Sequence, residues 1–225
     1  MLSSVIIFGE DGYFDNMSIR NAYSAWAPTY DSVENPTRDL DAVATRAVLA
    51  GTHWGTILEL GCGTGKNTSF LAQIGDQVRA LDFSPGMLAQ AQAKIAAPNV
   101  TFAAADITQP WPCAGGSVDL VVVNLVLEHI ADLDFIFAEA ARCLRPGGHF
   151  FICELHPFRQ YEGTQANFAV GDATVVIPAY VHHISDFLAS ANSHGFALAR
   201  LDEWWRQPDR VRPPLLVSFL FHGRA

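Results

Sequence analysis

The sequence has little charge, no paired cysteines and no long apolar run, and each shortage removes a class of protein. Only 16% of its 225 residues are charged while 50% are hydrophobic, which excludes a disordered chain. Lys and Arg number 14 against 23 Asp and Glu, for a net charge of −9. No basic run interrupts that balance, so the clustered cations of a nucleic-acid footprint are missing. Cys62, Cys113, Cys143 and Cys153 form no C-x-x-C pair. Neither a disulfide framework nor a zinc ribbon can be drawn from them, and a reduced, cytoplasmic setting is expected. No segment approaches the ~20 apolar residues of a membrane span, so no membrane partner is expected. The run from Val5 to Phe8 is too short for a signal sequence and has no basic flank. Met17-Ser18 reads as a second plausible start, which would make residues 1–16 an appendage.

What remains is a regular alternation. Apolar positions recur at helical spacing from Arg38 to Ala50, and Gly51 follows as a stop. Thr56–Leu60 is a short apolar run ending at glycine, read as a buried strand. A helix from Lys66 to about Gly75 and a strand from Gln77 to Leu81 come next. Ser84-Pro85 supplies an N-cap and a proline at the first helical position. Strands at Val100–Ala105 and Val118–Val123, a helix at Leu133–Leu144 and a strand at His149–Leu155 complete the series. Such alternation predicts a parallel, doubly wound sheet.

The pattern breaks after Leu155. Segments at Asn167–Val170 and Ala173–Tyr180 flank Gly171-Asp172, a hairpin turn signal. A helix at Ser185–His194 and strands at Ala197–Trp204 and Leu215–Phe221 close the chain. The expected organisation is one domain: cap helices over 1–50, a cofactor-binding core over 51–155, an insertion over 156–183 and a C-terminal helix with two strands over 184–225.

The chemical signal is Glu59-Leu60-Gly61-Cys62-Gly63-Thr64-Gly65-Lys66-Asn67. Glycines between a strand and a helix let a ligand approach the backbone, and the helix N-terminus favours an anion. The spacing discriminates among nucleotide loops. A P-loop would need glycine where Leu60 stands and Ser or Thr where Asn67 stands; a dinucleotide fingerprint would need glycine at Lys66.

This loop resembles the first motif of the class I S-adenosylmethionine-dependent methyltransferases, an acidic residue followed by G-x-G-x-G. Further motifs resemble that family in the same order. They are Leu81-Asp82-Phe83-Ser84, Ala105-Asp106-Ile107, Val118-Asp119-Leu120-Val121 and Leu144-Arg145-Pro146-Gly147-Gly148. The resemblance implies a Rossmann-like α/β fold, a seven-stranded mixed sheet with the last strand antiparallel and helices on both faces. It implies S-adenosylmethionine as cofactor, with Asp82 on the ribose hydroxyls and Asp106 and Ile107 at the adenine. Glu59, Gly61, Cys62, Gly63, Gly65, Asn67, Phe83, Met87, Asn124 and Leu125 are the other expected cofactor contacts. The segment Ala22–Asp31 resembles the N-terminal helix of the ubiquinone-type, small-molecule branch, which adds Tyr30. Asn124-Leu125-Val126-Leu127 differs from the Asn/Asp-Pro-Pro-Tyr/Phe of the amino-methylating nucleic-acid enzymes. A small-molecule acceptor and no nucleic acid are therefore expected.

On the acceptor side Glu154, His156, Arg159 and Tyr161 follow the fifth core strand. His156 is the expected general base or acceptor contact, and Tyr161 a second catalytic candidate. Arg159 offers a cation for an acceptor carboxylate. Adjacent His182 and His183 face opposite sides of an extended chain, so no metal site is expected. Rival readings on the same scaffold are an aminopropyl transferase, a cyclase or a non-catalytic binding module.

Overall fold

The computed structural model describes residues 4–8, 14–32, 34–170, 173–206 and 210–223. The core contains β3 (Trp54–Leu60), α3 (Thr68–Ile74), β4 (Gly75–Asp82), α4 (Pro85–Lys94), β5 (Val100–Ala104), β6 (Val118–Asn124), α5 (Leu133–Cys143) and β7 (Leu144–Leu155). Ahead of it lie β1 (Ser4–Phe8), β2 (Phe14–Ser18), α1 (Ile19–Trp26) and α2 (Pro36–Leu49). After it come α6 (Pro157–Tyr161), β8 (Asn167–Val170), β9 (Ala173–Val176), α7 (Ile184–Ser193), β10 (Phe196–Trp204) and β11 (Leu216–Gly223).

The main sheet has seven strands in the order β10-β11-β7-β6-β3-β4-β5. The strands β5, β4, β3, β6 and β7 pair in parallel, and β11 is antiparallel to both β7 and β10. The last strand is thus the reversed one, as expected. Alternate side chains serve the two faces. Leu58, Val121, Val123, Phe150 and Ile152 pack with Phe137 of α5 and Phe187 of α7. Ile57, Val78, Leu120, Val122 and Phe151 pack with Ala44 and Leu49 of α2 and Leu71 of α3. The chain leaves β3 outward through β4 and β5, then returns to β6 on the other side of β3. That reversal opens a crevice at the carboxyl ends of β3, β4 and β6, where ligands of doubly wound sheets bind.

The predicted helix starts and stops hold to within a few residues, with two exceptions. Residues 66 and 67 lie in the turn before α3, and β7 begins at Leu144 instead of His149, drawing Arg145–Gly148 into its irregular first half. The hairpin is present as β8 and β9, but its second strand ends at Val176 instead of Tyr180, and its Gly171-Asp172 turn lies outside the described residues.

A second sheet was not foreseen. Strands β1 and β2 pair with each other, and β1 pairs antiparallel with β9, giving the order β2-β1-β9-β8. Residues 4–8 and 14–16 are therefore built into the fold beside the insertion. Helix α1, capped by Ser18, presses Ala22 and Trp26 onto Val175 of β9 and Ile177 just past it.

Candidate active site

The glycine loop is shaped by its neighbours. Gly61 has φ +67°, and a Cβ there would meet Val126 Cγ2 at 2.3 Å, so the turn after β6 can rest on the loop only if residue 61 is glycine. Gly63, with φ +54°, has nothing within 4 Å of where its Cβ would be; that side of the loop opens into the cleft. Gly65 packs on Ile95 past the end of α4 and lies outside the cleft wall.

Below the loop, Asp82 ends β4 in the buried set. Its Oδ2 accepts from Gly63 N and its Oδ1 from Ser84 N, both at 2.8 Å, leaving a further lone pair on each oxygen for a ligand. Glu59 accepts from Thr68 Oγ1 at 2.6 Å, and burial pushes its carboxyl up to about 8. Asn124, at the end of β6, donates to Asp41 Oδ1 at 2.6 Å, while its Oδ1 is buried with no hydrogen-bond partner among the described residues. Asn67 donates to the other oxygen of Asp41 at 2.8 Å.

These groups line a cleft of roughly 810 Å³. Tyr30, Glu59, Gly61, Cys62, Gly63 and Asn67 are on its wall, as are Asp82, Phe83, Met87, Asp106, Ile107, Asn124 and Leu125. Of the expected cofactor contacts only Gly65 stands apart. Asp106 also shapes its own turn, accepting from Thr108 N and Oγ1.

The two catalytic candidates are elsewhere. Pro157 starts α6 immediately after β7, and His156 caps that helix through Nδ1, accepting from Phe158 N at 3.2 Å. Its Nε2 faces Glu203 at 3.1 Å, so both ring nitrogens are engaged away from the cleft wall. Tyr161 is exposed, off the cleft wall, with its hydroxyl on His183 Nδ1. Arg159 holds the carbonyls of Pro213 and Pro214.

In their place the cleft holds residues that the sequence reading missed. Arg38 and Asp41 are buried, at positions 38, 41, 45 and 49 along one face of α2. Charged residues on the inward face of an amphipathic helix were the legible signal. The Arg38 guanidinium lies 3.9 Å from the centroid of the Tyr30 ring and donates to Tyr30 O at 2.6 Å. Asp31 accepts from Thr64 Oγ1 at 2.8 Å and pairs with Lys94, tying the chain after α1 to the glycine loop and α4.

On another part of the wall, the short 3-10 turn Leu127–His129 after β6 presents His129 to Tyr23 of α1. The Tyr23 hydroxyl and His129 Nε2 are 2.8 Å apart, and His129 Nδ1 is 3.0 Å from Pro178 O. A carbonyl can only accept, so the proton of the neutral ring belongs on Nδ1. Nε2 then carries the lone pair and accepts from Tyr23. Burial lowers the His129 pKa and keeps the ring neutral, while burial and the surrounding acids raise that of Tyr23.

The cleft suits S-adenosylmethionine on its own chemistry. Its volume matches a nucleoside-sized ligand with room beside it. Asp82 retains acceptors for two ribose hydroxyls, Arg38 offers a cation to the methionine carboxylate, and the unpartnered Asn124 Oδ1 is an acceptor of the kind an ammonium requires.

Comparison with known proteins agrees. Residues 58–152 match the family model described as a methyltransferase domain. A ubiquinone biosynthesis O-methyltransferase of Xanthomonas oryzae pv. oryzae is 33% identical, over 84% of this chain and 82% of that protein. An uncharacterized methyltransferase of Emericella nidulans is 30% identical, over 80% of this chain and 76% of that one. The fold is shared with an S-adenosylmethionine-dependent methyltransferase of Mesorhizobium loti, with a TM-score of 0.67 at 22% identity, covering 81% of this chain and 99% of that one. It is shared also with the N-methyltransferase NodS of Bradyrhizobium japonicum in complex with S-adenosyl-L-homocysteine, with a TM-score of 0.68 at 17% identity, covering 92% and 98%. A cleft built for this cofactor on the seven-stranded sheet, and relatives that align over most of their length, place the chain in one family: it belongs to the S-adenosylmethionine-dependent methyltransferases.

Proposed function

We propose that this methyltransferase acts on a hydroxyl oxygen of a small molecule, and that Tyr23 and His129 remove the hydroxyl proton. The observation that carries the reading is the ordered chain from Pro178 O through His129 to the Tyr23 hydroxyl at the cleft wall. When bound, S-adenosylmethionine supplies a methyl group already activated on a sulfonium. The protein's remaining tasks are alignment, exclusion of water and disposal of a proton. Asp82, Arg38, Asn124 and the Gly61–Gly63 backbone hold the cofactor in this reading. As the acceptor oxygen attacks, its proton passes to the Tyr23 oxygen while the Tyr23 proton moves to His129 Nε2. The route avoids a free tyrosinate, which burial disfavours.

The insertion over 156–183 roofs the acceptor: Tyr180 lies on the cleft wall and Pro178 fixes the His129 tautomer. The O-methyltransferase relative supports oxygen as the target. The charge of −9 argues against a nucleic-acid acceptor. Among the described residues no helix is long and apolar enough to cross a membrane. Four free, buried cysteines favour a reducing, cytoplasmic setting.

A screen of small hydroxylated acceptors with radiolabelled cofactor, followed by product analysis for S-adenosylhomocysteine, tests the reading. With an acceptor in hand, Tyr23→Phe and His129→Asn should each lower kcat about 100-fold or more while leaving cofactor affinity within a few-fold. Full turnover by both variants would refute proton removal by this pair.

A further inference from the structure

The cleft wall carries one cation that the cofactor does not use. Arginine and lysine side chains reach the wall at three positions, Arg20, Arg38 and Lys66. Arg38 donates to Tyr30 O at 2.6 Å and faces the methionine carboxylate in the reading above, and Lys66 is paired with Asp39. Arg20 has no hydrogen bond, ion pair or ring contact among the described residues. The carboxylates on the same wall do not neutralise it, because protein donors already hold them: two amides hold Asp82, Asn67 and Asn124 hold Asp41, and Phe135 N holds Asp132. Nor does S-adenosylmethionine supply a partner. Its carboxylate is its one anionic group, and the rest is a sulfonium, an ammonium, two hydroxyls and a neutral base. A further cation in a cleft that takes a sulfonium is unfavourable unless another anion arrives with it.

We propose that this anion comes with the acceptor: the acceptor is a hydroxy acid whose carboxylate docks on Arg20 while its hydroxyl meets Tyr23. The hydroxyl end rests on the reading above; the carboxylate end rests on Arg20. Arg20 is exposed as well as on the wall, which sets it at the mouth of the cleft. It precedes Tyr23 by three residues on α1, so the two side chains leave the helix with Cβ atoms about 5–6 Å apart. Helical side chains lean toward the N-terminus, which carries the guanidinium away from Tyr23. The acceptor's two polar ends are then about one to two helical turns apart, roughly 5–11 Å. That spacing excludes a hydroxyl on the carbon next to the carboxylate and calls for a ring or short chain between them. Ile19, Ile130 and Phe135 give the wall apolar surface for such a spacer.

The planar fork of an arginine matches a carboxylate with two parallel hydrogen bonds. One guanidinium also matches its single charge. A phosphate monoester, with a charge near −2, would call for a second free cation, and Arg38 and Lys66 are already committed. Arg159, expected from the sequence to hold an acceptor carboxylate, is occupied by the carbonyls of Pro213 and Pro214 and by Glu162. That role falls to Arg20 instead.

Equilibrium binding to the S-adenosylhomocysteine complex tests this without turnover. The probes are hydroxybenzoate, hydroxyphenylacetate and hydroxyphenylpropionate, each beside its methyl ester and its analogue lacking the hydroxyl. At least one acid should bind about 10-fold or more tightly than its ester, the scale of a charge-assisted pair at a partly solvated site. Arg20→Gln should erase that preference and Arg20→Lys should keep part of it. Both variants should fold with unchanged Tm and bind S-adenosylhomocysteine normally, since Arg20 is exposed and apart from the cofactor. Esters that bind as well as their acids throughout the series, or a preference that survives in Arg20→Gln, overturn the assignment. Equal losses of cofactor and acid affinity in Arg20→Gln would give Arg20 to the cofactor and overturn it as well. Acids lacking the hydroxyl should keep the Arg20-dependent preference. Failure of the hydroxyl reading is therefore separately visible, as bound hydroxy acids that are not methylated at oxygen when S-adenosylmethionine is supplied.

Discussion

Replacing Asp82 by alanine removes two sets of interactions at once, and the structure allows each to be estimated. Gly63 N and Ser84 N each lose a carboxylate acceptor at 2.8 Å. Hydrogen bonds to a charged group are worth about 1.5–3 kcal/mol each, and water entering the opened cleft recovers part of that, leaving a loss of about 2–4 kcal/mol in stability. For a domain of this size each kcal/mol moves Tm by about 2–4 °C, so the midpoint should fall by about 4–16 °C. The ribose hydroxyls lose their acceptor too. A net cost of about 3 kcal/mol raises Kd for the cofactor roughly 150-fold. Scanning calorimetry on the free protein and titration calorimetry with S-adenosylhomocysteine separate the two effects. Asp82→Asn, which preserves shape, should lose similar affinity with a smaller drop in Tm. A folded alanine variant that binds the cofactor normally would refute the ribose assignment, and an unchanged Tm would refute the role of Asp82 in holding the loop.

Two further outcomes are expected. His156→Ala should cost about 1 kcal/mol of stability through the lost cap of α6, the pair with half-exposed Glu203 adding little, and should leave kcat within a few-fold; a hundred-fold loss of turnover at unchanged stability would return His156 to the chemistry. Stability of the cofactor-free protein should fall as pH rises from about 6.5 to 8. Glu59 and Glu154, both raised to about 8, and Glu128, raised to about 7, hold protons in the folded state that the unfolded chain has already released in that window. The decline is at most about 1.4 kcal/mol per pH unit per proton, and a flat or rising Tm across the window would contradict it.

The cofactor half of the site was legible because its determinants are local. A strand, a glycine loop and a helix cap occupy consecutive residues, so Gly61, Gly63 and Asp82 carry their own signal. The acceptor half was not, because its geometry is set by distant partners. Whether Glu154, His156 or His129 reaches the cleft depends on how the chain turns after β6 and β7. Pro157 turns His156 into a helix cap, whereas the turn pinned by Glu154 presents His129 to Tyr23. The second sheet was hidden for the same reason. Phe14–Ser18 has no clean alternation, and Ile7 finds its partner Val175 only once most of the chain is in place.

That long-range pairing also sets an order of assembly. Joining Ile6 to Val176 closes a loop of most of the chain, so the contact gives no return until the core strands between them exist to bring its ends together. The small sheet is therefore a late-forming and early-opening unit. Hydrogen exchange should find its strand amides opening at lower free energy than those of β3 and β6. Pro178 lies two residues past β9, so an opening that spread that far would release the carbonyl that fixes the His129 tautomer while the ribose carboxylate and glycine loop stay in place. Cofactor retention and competence for proton removal would then have different melting points, with competence lost first on heating.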